Sequence, residues 1–317
     1  MRDKSSATAA ATITTDRAGG LALGALGVLG FSLSLPATRL AVQQLDPWFV
    51  AFGRAVGAGL LAWAYLRLTG APRPTRGQWW RLVVVALGVV VGFPLFTSLA
   101  LLTQTAAHGA VVIAALPAMT AVFAVLRAGE RPPPLFWVAS AGGLLAVLIF
   151  LGASGAVRGA LTRPDAFLLA AVVLCGLGYA EGGALAREMG GARTICWALL
   201  LALPATVPIT VVAAVADRPH ADAVGWSAFG YLTVVSMFLG FFAWYAGLGR
   251  GGIAQVGQVQ LAQPVLTLGW SALLLGESVT PASIGAALVV LGCVVVIQRT
   301  RRSARPAGAD RPSPARV

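Results

Sequence analysis

The sequence predicts an all-α integral membrane protein of ten transmembrane helices, arranged as two inverted five-helix repeats. Three observations carry this. The 317 residues are 58% hydrophobic and only 11% charged, against roughly a quarter charged in an ordinary soluble domain. The apolar runs are long enough to cross about 30 Å of hydrocarbon, which takes about 20 helical residues. The two halves of the chain also repeat one another at a fixed spacing.

The runs lie at 20–40, 47–66, 82–101, 105–126, 135–152, 166–186, 195–216, 224–246, 253–274 and 281–298. A helix satisfies its own backbone in lipid, and the alternating pattern of a membrane barrel is absent. Trp48, Trp79, Trp80, Trp137, Trp197 and Trp226 fall at the starts of runs, where an amphipathic ring favours the interface. The division between the third and fourth spans rests on a few residues around Gln104. Residues 1–19 are expected to form a disordered cytoplasmic tail and the basic residues 300–317 another. The first span is too long for a secretory leader and no cleavage site follows it, so it is expected to stay as an anchor.

The net charge of +12 is not a nucleic-acid footprint, because its arginines sit in short segments beside the spans and in the C-terminal tail. Eighteen Lys and Arg fall on the side of the N-terminus and four (Arg39, Arg158, Arg163, Arg218) on the other. Positive loops stay inside, so both termini are expected in the cytoplasm and the protein in the cell membrane. Its expected partners are the lipid bilayer and a small-molecule substrate, with protons as a candidate coupling partner, not nucleic acid. Cys175, Cys196 and Cys293 lie inside apolar runs without metal-ligand spacing. No metal and no cofactor are expected.

The repeat is visible at an offset of 147 residues. Ala107 matches Ala254, Pro117 matches Pro264, Thr120 matches Thr267, Gly129-Glu130 match Gly276-Glu277, and Pro134 matches Pro281. Gly30 and Arg39 match Gly178 and Arg187 one residue further on. Two units follow, 20–155 and 165–299. Each holds five spans, an odd number, so the second copy must enter the membrane upside down. Glu130 and Glu277 then fall at opposite faces. Many transporters use this arrangement to alternate an inward and an outward cavity.

Phe49–Arg54 at the second span, Ala115–Ala118, Gly129-Glu130, Gln263-Pro264 and Gly276-Glu277 resemble the EamA-like, two-repeat, ten-span members of the drug/metabolite transporter superfamily. The resemblance covers residues 20–299. It implies a central cavity between the halves and proton-linked or facilitated movement of small metabolites, frequently export.

Glu181 stands well inside the sixth span, where a carboxylate is costly and needs a purpose. It is a candidate proton-coupling site or counter-ion for an amine; an interfacial place, or a pair with Arg187, is the plainer reading. Arg54, seven residues into the second span, could hold an anionic substrate group or pair structurally. Gln260, Gln263 and Thr267 fall on one wall of the ninth span. Pro264 withdraws a donor from the Gln260 carbonyl, and Pro117 is its counterpart. Tyr179 and Trp244, with Phe93, Phe96, Phe241 and Tyr245, supply an aromatic surface. Glu130 and Glu277 are helix-end residues that could gate by pairing with Arg or a helix N-terminus. The Gly247-Leu-Gly249-Arg-Gly251-Gly252 stretch has dinucleotide spacing but joins two apolar helices, so it is expected to be a turn. Gly20/Gly24 and similar pairs are expected to let helices approach closely.

An enzyme is not expected, since neither H-E-x-x-H nor G-x-S-x-G occurs. The reading is a secondary transporter and exporter of amino acids, amines or drugs working by alternating access. A membrane scaffold, receptor or lipid scramblase is the alternative.

Overall fold

The structure, a computed structural model, describes residues 3–130 and 162–278, with isolated positions in 134–145 and 281–292, and only the backbone of 3–17. The described elements are helices. Among them, seven are long and apolar enough to cross a membrane: α1 (Ala18–Val42), α2 (Pro47–Leu68), α3 (Arg76–Ala100), α4 (Ala106–Ala128), α5 (Arg163–Met189), α6 (Gly191–Ala216) and α7 (Ala223–Gly251). An eighth, α8 (253–275), is broken. It runs as Ile253–Gly257, a 3₁₀ turn Gln258–Ala262, and Gln263–Leu275. The expected fifth and tenth spans, 135–152 and 281–298, the tail 300–317 and Cys293 lie outside the fully described residues.

The starts of these helices are legible locally. Asp46 accepts from the backbone N–H groups of Trp48 and Phe49, with Pro47 at the first helical position, where its missing N–H costs nothing. Thr105 accepts from His108 N at 3.1 Å, which places a true helix start beside the doubtful Gln104 boundary. The helix leading into α1 begins at Asp3, unlike the disordered tail expected over 1–19. Ala7, Ala9, Ala10 and Ala11 are good helix formers that can extend a span already nucleated.

Helix pairing reveals the symmetry. α2 runs against α6, with Gly53 facing Thr210 and Gly59 facing Leu203. α4 runs against α8, each end bonded to the opposite end of the other. These pairs are repeat counterparts, and both are antiparallel, so the second half is inverted relative to the first. The remaining pairs exchange partners: α1 packs on α7 and α5 on α3. Each half therefore completes the other.

The α1–α7 contact explains the glycine spacing that resembled a dinucleotide motif. Gly247, Gly249 and Gly251 belong to the last turns of a helix, and the turn comes only at Gly252, with φ +89°. A Cβ on Gly247 would sit 2.7 Å from Gly24 N, and one on Gly20 would sit 2.7 Å from Gly251 N. The glycines let two backbones touch.

The bundle is apolar outside and keeps its in-span polar side chains within an otherwise apolar core. Leu26, Leu60, Trp63, Val212 and Leu273 are all exposed, whereas Gln258, Gln260, Gln263 and Thr267 are buried. That is the distribution a lipid solvent requires. Trp48, Trp80 and Trp226 are exposed at helix starts; Trp79 and Trp197 instead pack edge-to-face, 5.6 Å apart.

Gly247→Ala should lower the thermal midpoint in detergent, because the new methyl must push α1 off α7. A cost of about 1–3 kcal/mol is expected for such overpacking. A midpoint equal to wild type would show that the seam is looser than its geometry.

Candidate functional site

Where the halves meet, side chains from α1, α2, α3, α5, α7 and α8 enclose a constricted cavity. Its walls include Phe31, Ser34, Arg54, Phe93, Tyr179, Ser236, Phe241, Gln260 and Gln263. The space in which a water can be centred is about 20 Å³, enough for one or two waters.

Irregular backbone builds it. Ala86–Gly92 in α3 and Leu232–Leu239 in α7 are π-helical. They occupy matching places in the two halves, and such wide turns are frequent at functional sites. Pro94 gives a reason for the first, since it takes the donor from the Val90 carbonyl. The second contains no proline, and nothing in its sequence explains its widening. Val89 and Ser236 project from these segments into the cavity.

α1 is interrupted at Leu33. Pro36 leaves the Ser32 carbonyl without its helical donor, and Thr267 Oγ1 donates to it at 2.6 Å. Gln263 Nε2 donates to the Phe31 carbonyl at 3.4 Å, and Trp270 Nε1 to Ser32 Oγ at 3.1 Å. The expected bare carbonyl at Gln260 is corrected by this structure: the 3₁₀ turn brings Gln263 N–H to it. The same proline rule, applied to Pro36, would have found the carbonyl at Ser32. Ser34 and Ser236, on opposite halves, share a 2.7 Å hydroxyl contact.

Gln260 Nε2 reaches Gln263 Oε1 at 3.2 Å and the Tyr179 hydroxyl at 3.5 Å. Phe31, Tyr179 and Phe241 cluster with centroids 4.9 to 6.4 Å apart. Trp244 is fully buried behind Tyr179, centroids 5.2 Å apart, and does not line the cavity. Arg54 does, at 2% exposure. The structure thus brings Arg54, Tyr179, Gln260 and Gln263 together, and makes Thr267 a tie between α8 and α1.

Glu181 is elsewhere. It sits near the end of α5, held by Arg81 of α3 and by Arg127 of α4 at 2.9 Å. Arg81 also pairs with Glu188. The pairing with Arg187 entertained from sequence is replaced, because Arg187 turns to Glu130. The carboxylate of Glu130, at the end of α4, accepts from Ile253 N at 3.0 Å and Ala254 N at 2.8 Å at the start of α8. Glu277 does the converse, accepting from Ala106 N at 3.0 Å and Ala107 N at 2.9 Å at the start of α4. The two carboxylates are at opposite faces of the bundle.

The faces are not equivalent. The Glu130 face carries the arginine–carboxylate network. On the Glu277 face Arg39, the counterpart of Arg187, donates to the carbonyls of Leu101 and Leu102. There His108 meets buried Asp165 at 2.8 Å, and Gln44 and Asp222 exchange hydrogen bonds of 3.1 and 2.8 Å between the halves. The Gly225 backbone N–H, then the Gln44 amide, hold the Asp222 carboxyl below the usual carboxylate range.

Fold and site define a duplicated, polytopic membrane protein with an amphipathic cavity where its inverted halves meet. The EamA-like transporter family matches residues 18–152 and 162–298, and the chain belongs to that family. It is similar to the uncharacterized transporter YdeK of Bacillus subtilis, 45% identical over 87% of this chain and 96% of the relative. An uncharacterized transporter of Archaeoglobus fulgidus is 23% identical over 77% of this chain and 84% of its own. A solved crystal structure with 19% identity shares the fold, with a TM-score of 0.66 over 89% of this chain and 99% of that one.

Thr267→Val should destabilise the bundle by about 0.6 kcal/mol, and by no more than about 1.7, the measured range for hydrogen bonds between membrane helices. Equilibrium unfolding in mixed micelles reads this directly. A loss of transport with no loss of stability would instead assign Thr267 to the substrate.

Proposed function

We propose that this chain is a secondary transporter that exports a small metabolite by alternating access, with the central cavity as its substrate site. The observation that supports this best is the reciprocal capping. Glu130 fastens the first half to the broken helix of the second at one face, and Glu277 fastens the second to the first at the other. Two inverted copies that clasp each other in this way can loosen one face while holding the other. The cavity at about 20 Å³ is too small for a metabolite, so loading requires the halves to part.

In this reading the Glu130 face is cytoplasmic, as the excess of arginine there favours, and five spans in each repeat make up the full ten. Glu181 acts as a gate rather than as a cavity carboxylate. Its two arginines come from α3 and α4, and its own helix is α5, so the cluster bridges both halves. Opening toward the cytoplasm breaks it, and a proton or an incoming substrate is a natural trigger.

Glu181→Gln should loosen that closure. In a background lacking the three native cysteines, Ser236→Cys should be labelled from the cytoplasmic side several-fold faster when Glu181 is replaced, with labelling from outside reduced. A shift of about 1.4 kcal/mol in the balance of states gives tenfold. Equal labelling from both sides in both proteins would remove Glu181 from the gate. Reporter fusions should place residues after Glu130 inside and those after Glu277 outside. Finding both on one face would sink the carrier reading itself.

A further inference from the structure

Two groups on the cavity wall have no partner among the described residues. Arg54 lacks one at Nε and Nη2, and Gln260 lacks one at Oε1. Several neutral hydroxyl and indole groups are also unpaired in the bundle, but the guanidinium is different in kind. A charge taken out of water without a counter-charge is costly by several kcal/mol.

Among the described side chains no carboxylate is free to serve it. Of the acids inside spans, Asp165 is bound by Thr162 and His108, and Glu181 by Arg81 and Arg127. The other described acids cap helix ends or lie at span ends and in loops. Residues 131–161 and 279–300 contain neither Asp nor Glu. The cavity therefore offers one cation and no anion.

We infer that Arg54 is the counter-charge for a substrate of net charge −1, and that the site takes small monocarboxylates with an apolar or aromatic body rather than amines or cationic drugs. This rests on the transporter reading only in that the bound molecule is carried. A guanidinium fork matches a carboxylate in two parallel hydrogen bonds. Phe31, Phe93, Tyr179 and Phe241 supply the apolar wall. Gln260 Oε1 accepts from one N–H or O–H of the ligand. A monocarboxylate leaves the occluded site neutral, whereas a zwitterion leaves Arg54's charge in place and an amine adds a second. The empty carrier then holds a positive charge in mid-membrane that the loaded one lacks.

The test uses four probes that share a ring: phenylacetate, phenylacetamide, phenylalanine and phenethylamine. Binding to the full-length protein in detergent is read from the shift in thermal midpoint, and movement from counterflow in vesicles. Phenylacetate should bind about tenfold or more tightly than the other three, a factor expected for one charge-assisted pair. Arg54→Gln should weaken it by about the same factor, with Arg54→Lys between the two. Without ligand, Arg54→Met should be at least as stable as wild type, since it removes an unpaired buried charge; a purely structural arginine would make it less stable. Failure of every carboxylate to bind, equal or tighter binding of phenylalanine or phenethylamine, or a destabilised Arg54→Met would overturn the inference. Phenylacetate bound but never moved would leave the anion site standing and refute the carrier. Counterflow of the amine alone would do the reverse.

Discussion

A helix end packed into a membrane bundle is a liability, since the first four N–H groups have no partner inside the helix and lipid offers none. This chain breaks or starts helices at the places where its halves meet, and it satisfies those ends with carboxylates from the opposite half. Glu130 takes the N–H groups of Ile253 and Ala254, and Glu277 those of Ala106 and Ala107. An anion at a helix N-terminus is favoured by the macrodipole, and hydrogen bonds to a charged group are worth about 1.5–3 kcal/mol each. The same contacts fix the antiparallel register of α4 and α8, and with it the orientation of one repeat against the other.

That constraint propagates to the cavity. With α4 and α8 held at both ends, their middles are free to be irregular, and both contain a break just before Pro117 or Pro264. The π-helical stretches of α3 and α7 add a second pair of irregularities beside them. Irregular backbone inside a membrane is tolerated where protein or water covers it. Here Gln263 and Thr267 cover the exposed carbonyls of α1. Polar residues that looked from sequence like a recognition wall are thus divided. Some hold the broken backbone together, and Arg54 and Gln260 keep unused hydrogen-bonding capacity.

Much of the fold was legible because its signals are periodic or symmetric. The apolar runs marked the spans, and the Pro…Gly-Glu…Pro frame marked the duplication. An odd number of spans per copy implied inversion, which the antiparallel α2–α6 and α4–α8 pairs display. Arg54, Tyr179, Gln260 and Gln263 were recognisable as polar or amphipathic groups within spans, and they do converge. Glu181 was recognisable as costly, but not its partners. Arg81 lies 100 residues away and Arg127 lies 54 away, and only the packing of α5 on α3 and α4 brings the three together. Trp244 misled because an aromatic at helical spacing reads alike whether it lines a cavity or backs one. The π-helical turn of α7 left no trace, for its sequence is that of an ordinary apolar helix.

Arg39 and Arg187 are repeat counterparts, so perfect symmetry would give Glu277 the partner that Glu130 has. Instead Arg187 binds Glu130, while Arg39 spends its hydrogen bonds on the carbonyls that end α3. Each arginine stands on the corresponding helix of its half, so the difference lies in what each side chain binds and not in where its helix places it. Inverted repeats that were identical in conformation would close both faces or neither. The two faces thus use the same repeat position differently, and the Glu130 face, with Arg81, Arg127 and Arg187 all engaged, is the one held by charge.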